Sequence, residues 1–177
     1  GNSGPKQAAL TVKKHTDEFN KSIEVVMASY FEIKEALVNA DTGKAKEHCR
    51  KFITLADSIK LEELKKDTAG IFETAQANLS DIKLNAESLI KQTDITEIRQ
   101  DFRMVTEMLY PSFFNTINYE GPTMYLQNCP MAFGDDKGAN WISKTKEIIN
   151  PYLGKTHPEY KGTMLHCGEI KDTIKAR

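Results

Sequence analysis

The sequence predicts an all-α domain: an antiparallel up-and-down four-helix bundle carrying a loop-rich C-terminal extension. Two observations predict it. Between Ala8 and Asn118 the only glycines and prolines are Gly43, Gly70 and Pro111, whereas Tyr119–Arg177 holds ten. Within the first part, apolar residues recur at helical spacing. Because Gly and Pro interrupt regular elements, the chain divides into a disordered start (1–7), a helical body (8–118) and an extension (119–177) packed on it. A chain of 177 residues suffices for one such domain with a core of its own.

The first helix carries Phe19, Ile23, Val26, Tyr30, Ile33 and Leu37 on one face. "NADTG" closes it, and Asp41 is placed to cap a second helix with the stripe Ala45, Cys49, Phe52 and Ala56. A long third helix is expected along Leu61, Leu64, Thr68, Ile71, Ala75, Leu79, Ile82, Ala86 and Leu89, with Gly70 inside it. "DITE" reads as a capping box for a fourth, whose stripe is Ile95, Ile98, Phe102, Val105 and Leu109. Pro111 is expected to kink this helix, since Phe113, Phe114 and Ile117 continue the pattern. In the extension, "TMYLQ" and "GTMLHC" are candidates for a small β-ladder. "WISKTKEII" reads as one or two turns of helix, and "EIKDTIKAR" as a last helical turn or a frayed tail.

Charge excludes one class of partner. Lys+Arg 24 and Asp+Glu 25 nearly cancel, which leaves no basic excess for nucleic acid. No apolar run has the length of a membrane-spanning helix. An enzyme finds no support: there is no nucleophile triad, phosphate-cradling glycine loop, HExxH or Cys-x-x-Cys, and Asp135–Asp136 falls in a "GDDKG" turn.

Two sulfur clusters stand out, Cys129-Pro130-Met131 and Met164-Leu165-His166-Cys167. Thiolates and thioethers in low coordination number select soft ions such as Cu(I), and thioether is a poor zinc ligand. The set Cys129, Met131, Met164 and Cys167, with His166 as an optional nitrogen, therefore suits copper or silver. Spacing alone leaves two other readings open: a Cys129–Cys167 disulfide pinning the extension, or Met131 and Met164 as apolar filler under a loop. Among the remaining residues, Cys49 reads as a buried small hydrophobe with His48 facing outward, and His15 reads as a surface residue. Met104 and Met108 read as core packing. Trp141 reads as the anchor of the extension, and Asn150-Pro151-Tyr152 as a turn between the two sulfur clusters.

The signature resembles a known family. Cys129-Pro130-Met131, Gly138-Ala139, Trp141-Ile142-Ser143, Lys146-Glu147-Ile148, Asn150-Pro151-Tyr152, Gly154, Met164-Leu165 and Cys167-Gly168 match the pattern of the domain of unknown function 3347 family, and "ASYFEIKEALVNAD" resembles its opening helix. Two departures stand out: Asn128 where the family often has His, and "KTHPEYKGT", which lengthens the connection before Met164 and adds His157. The resemblance implies an exported protein of a Gram-negative bacterium, periplasmic or lipid-anchored at the outer membrane. Related domains are attached to adaptor subunits of copper/silver efflux pumps. It therefore implies a Cu(I)- or Ag(I)-binding module with such an adaptor as partner. The alternative is a structural or protein-interaction domain whose signature is a disulfide-pinned clamp.

Overall fold

The computed structural model describes residues 14–67 and 70–177. The expected disorder at 1–7 and the stripe position Thr68 lie outside the described residues.

Helix α1 (Asp17–Val38) starts where the Thr16 side chain accepts from the Phe19 amide, with Asp17 and Glu18 against the positive end of its dipole. Its buried face contains the whole expected stripe from Phe19 to Leu37. Asp41 caps α2 (Thr42–Asp57) by accepting from the Lys44 amide. Asp94 caps α4 (Ile95–Glu107) by accepting from the amides of Thr96 and Glu97.

The third helix is shorter than its stripe suggests. Leu61–Lys66 is a separate 3₁₀ turn, and α3 spans Ile71–Lys91. Gly70 divides them with φ at 95°, a left-handed conformation that no residue inside a right-handed helix adopts. Leu61 and Leu64 are still buried, because residues three apart eclipse in a 3₁₀ turn as they share a face in an α-helix. Pro111 kinks the fourth helix as expected. Met108–Phe113 is a π-helical segment with Tyr110 at extended angles, followed by the short α5 (Phe114–Ile117).

Consecutive helices pack in order, α1 on α2, α2 on α3 and α3 on α4. The fourth returns to the first, with Phe102 stacked on Tyr30 at a centroid distance of 4.7 Å.

The all-α expectation is corrected by a three-stranded antiparallel sheet in the extension. Central β1 (Met124–Cys129) pairs with β2 (Ala139–Ser143) on one side and β3 (Glu169–Ile174) on the other. "TMYLQ" does enter a strand, but its partner is not "GTMLHC", which forms turns leading into β3. Trp141–Ser143 is strand rather than helix, and Glu169–Ile174 is an edge strand rather than a helical turn or tail. In β3 only Ile174 is buried, so that strand is held by backbone pairing and shows no apolar alternation. Its charged side chains also blunt an edge that would otherwise invite further pairing.

Buried polar contacts seat the sheet on the helices. The Tyr30 hydroxyl accepts from the Ile142 amide at 2.9 Å and meets Thr106 Oγ1 at 2.7 Å. Arg99, on α4, donates from Nη2 to the Leu37 carbonyl at 2.6 Å and from Nε to the Pro151 carbonyl at 2.9 Å. The guanidinium thereby caps the C-terminal end of α1 and holds the Asn150-Pro151-Tyr152 turn at once. The Lys155 amide adds a bond to the Val38 carbonyl at 2.9 Å. Gly154 makes this approach feasible: its φ is 64°, and a Cβ there would lie 2.8 Å from the Val38 carbonyl oxygen.

His15 is buried, which corrects the surface reading. Its Nδ1 lies 2.7 Å from Glu63 Oε2 and its Nε2 faces the Ile117 carbonyl, so polar partners on both sides offset the loss of water. Met104 and Met108 are half-buried, and Met108 packs against the core with Asn85 donating to its sulfur. No helix among the described residues is long and apolar enough to cross a membrane.

Candidate functional site

The sheet brings the two sulfur clusters to one place. β1 ends at Cys129, opposite Ala139 of β2. β3 begins just after Cys167 and Gly168, opposite Asn128. The register therefore sets the end of the first cluster beside the end of the second. Gly168 permits the close approach. Its φ is 144°, and a Cβ there would meet the Asn128 carbonyl oxygen at 2.7 Å and Trp141 Cη2 at 2.9 Å.

Asn150 then fixes the second cluster. Its backbone amide donates to the Leu165 carbonyl at 2.7 Å, and its Nδ2 donates to the Cys167 carbonyl at 2.9 Å. Its Oδ1 accepts from the amides of Tyr152 and Leu153. The expected turn between the clusters is thus a pin: one wholly buried side chain satisfies two amides ahead of it and one carbonyl of the sulfur loop.

In the result, Cys129 Sγ and Cys167 Sγ lie 2.7 Å apart. Cys129 is fully buried, Cys167 is half-buried, and both are free thiols. Burial, and then the neighbouring Cys129, push the Cys167 thiol up to about 12, so the unliganded group is protonated at neutral pH. Cys49 stays out of this chemistry. It is buried on α2, its thiol donates to the Ala86 carbonyl at 3.3 Å, and burial pushes it up to about 12.

The other sequence candidates are placed differently. Met131 lines a cavity of about 280 Å³ beside Arg99 and Tyr152, and neither Cys129 nor Cys167 lines that cavity. Met164 is half-buried and packs against the core, and its carbonyl accepts from the Cys167 amide at 3.0 Å. His166 is exposed. Its Nδ1 lies 2.8 Å from the Ile148 carbonyl and donates to it, which leaves the lone pair on Nε2. Among the described residues no group of three or more His, Cys, Asp or Glu is placed to hold a metal ion.

This donor set fits some ions and not others. Two thiols converge, and among the described residues no third His, Cys, Asp or Glu joins them. That suits a soft monovalent ion taking two thiolates, and it does not suit zinc, which closes a structural site with four N or S ligands.

Over residues 26–119 the chain matches the family model described as a protein of unknown function, DUF3347. The chain belongs to this family. The DUF3347 match runs from the middle of α1 to Tyr119, just before β1, so the cysteine pair lies beyond the matched stretch. No curated protein and no solved structure matches the chain.

Sequence reasoning missed Arg99 and the reach of Asn150. Arg99 sits one residue after Ile98 of the α4 stripe, on the margin of the apolar face, where an arginine normally points to water. Asn150 carried a signal, since Asn before a turn readily bonds backbone two residues on. Its bond to Cys167 depends on a tertiary approach that the local sequence does not encode.

Proposed function

We propose that this chain is a non-enzymatic metal-binding module in which Cys129 and Cys167 hold one Cu(I) or Ag(I) ion as a pair of thiolates. Its setting would be the periplasm or the inner face of the outer membrane, and its role buffering the ion or passing it to an efflux adaptor, as the family resemblance implies. The observation that carries the reading is the approach, to 2.7 Å, of two cysteine sulfurs 38 residues apart.

With metal–sulfur bonds of ~2.3 Å, two sulfurs on one ion stand ~3.8 Å apart in tetrahedral and ~4.6 Å in linear geometry. The pair must therefore open by about 1–2 Å, again from ~2.3 Å bonds. Cys167 is the partner able to yield, by turning its half-exposed side chain on a backbone held by Asn150, while Cys129 is buried at the end of a paired strand. Met131, Met164 and His166 adjoin the cysteines in sequence and offer two thioethers and an imidazole as further donors. A third bond from Met131 requires its side chain to leave the Arg99 cavity.

A second reading is favoured by the separation itself, which is shorter than two sulfurs keep on a shared ion. Loss of two protons and two electrons to an external oxidant joins the sulfurs, and the bridge then clamps β1 to the segment entering β3. Oxidising compartments favour this state. The readings are two redox states of one pair, since a bridged pair has no thiolate to offer.

The test is a Cu(I) titration of the fully reduced protein against a chromophoric chelator. The metal reading expects one equivalent withdrawn from the chelator, with binding abolished in Cys129→Ser and in Cys167→Ser and weakened in Met131→Leu. If the chelator keeps its copper, the metal reading fails, the clamp stands, and attention moves to protein partners.

A further inference from the structure

We propose that the cavity between the first turn of α4 and the loops at Phe133 and His157–Tyr160 binds a small organic monocarboxylate, with Arg99 as the group that receives the carboxylate. The cavity measures about 280 Å³. Arg99 is the one permanent cation among the described residues lining it, and that residue is only 6% exposed.

Arg99 is short of partners. Its guanidinium has five N–H donors in a fixed fork. Nε and Nη2 are taken by the Pro151 and Leu37 carbonyls, whereas Nη1 donates to no acceptor among the described residues. No carboxylate among them lies within ion-pair reach of Arg99. The carbonyl end of α1 offsets part of the charge, and Nη1, which is not among the buried unpaired atoms, stays open to solvent and free to bond a ligand. Burial lowers the group only to about 10, so it remains charged at neutral pH. A carboxylate in the cavity supplies the missing anion and accepts from Nη1.

The rest of the cavity describes the body of the ligand. Phe133, Tyr152, Tyr160 and Ile95 give apolar and aromatic walls. The His157 Nδ1 accepts from the amides of Glu159 and Tyr160, which puts the ring proton on Nε2 as a second donor. The amides of Thr96 and Glu97 are already taken by Asp94 and add nothing. Glu159, exposed at the rim, opposes additional negative charge and so selects a monoanion over phosphate. The volume lies near the lower limit of small-molecule sites and suits a ligand the size of a small aromatic acid. Cys129 and Cys167 do not line the cavity, so the proposal is independent of the sulfur pair.

The test uses benzoate as probe and benzyl alcohol as its uncharged counterpart, titrated into the full chain and followed by amide and arginine Nε–H NMR shifts. Benzoate is expected to bind at millimolar concentration, with shifts confined to the cavity residues and Arg99, and benzyl alcohol about tenfold more weakly. Arg99→Met is expected to abolish the difference. Because Arg99 also seats the extension, Thr96→Trp provides a second variant: position 96 is exposed at the cavity edge, and an indole there closes the cavity without entering the core. Equal binding of the two probes, no shifts at all, or benzoate shifts unchanged in Thr96→Trp would each overturn the proposal.

Discussion

Trp141→Ala is expected to lower the stability of the reduced protein by about 3–5 kcal/mol, read as the loss of denaturant midpoint followed by circular dichroism. The ring is wholly buried, lies edge-on to Tyr152 at 6.0 Å, and closes against Gly168 next to Cys167. Its removal opens a void at the junction of sheet, helices and sulfur loop. Its Nε1 has no hydrogen-bond partner among the described residues, so Trp141→Phe forfeits area and none of the described polar contacts. The Phe variant is therefore expected to recover at least half of the loss, on the ordinary cost of removing buried apolar volume. An equal loss in both variants would mean that the ring does more than fill space.

Asn150→Ala is the second large effect, expected at about 2–4 kcal/mol by the same measurement. Substitution leaves the Tyr152 and Leu153 amides and the Cys167 carbonyl without partners in a buried turn. Its local consequence distinguishes it from a simple cavity. With the Cys167 carbonyl released, the Cys167 thiol of the reduced protein is expected to react faster with an alkylating reagent, while Cys49, held on α2, keeps its rate. An unchanged Cys167 rate would show that the sulfur loop does not depend on this pin.

The helices were legible because each buries one continuous face, and a buried face must repeat at 3.6 residues wherever it occurs. The caps at Asp41 and Asp94 were legible for a local reason: a short acceptor ahead of an apolar run satisfies amides that the helix leaves free. The Gly70 break was less so, since Leu64 and Ile71 keep a helical spacing across a residue whose left-handed φ ends the helix. Of the sheet, β1 was legible in "TMYLQ", but its edge partner escaped because β3 buries almost nothing. An edge strand held by backbone bonds leaves no apolar alternation in "EIKDTI". Trp141 and Ile142 are both buried although they are adjacent, one face of β2 meeting the helices through Tyr30 and the other meeting Gly168 near the sulfur loop, which erased the period-two signal.

At the site, the two cysteines stood out by composition, and their approach follows from the strand register at Asn128. The direction of Met131 into the Arg99 cavity did not stand out, because a proline immediately before it breaks the alternation that would have set its face. Arg99 was hidden for the same kind of reason, since its partners are carbonyls 62 and 52 residues away.

Both functional readings require Cys129 and Cys167 to act as one pair from which Cys49 is excluded. The most direct measurement is peptide mapping after mild oxidation of the full chain, with free thiols blocked before digestion. The geometry predicts one cross-linked peptide pair containing Cys129 and Cys167, blocked Cys49, and reversal of the link by reductant. Blocked thiol at both Cys129 and Cys167, or a link from either of them to Cys49, would contradict it.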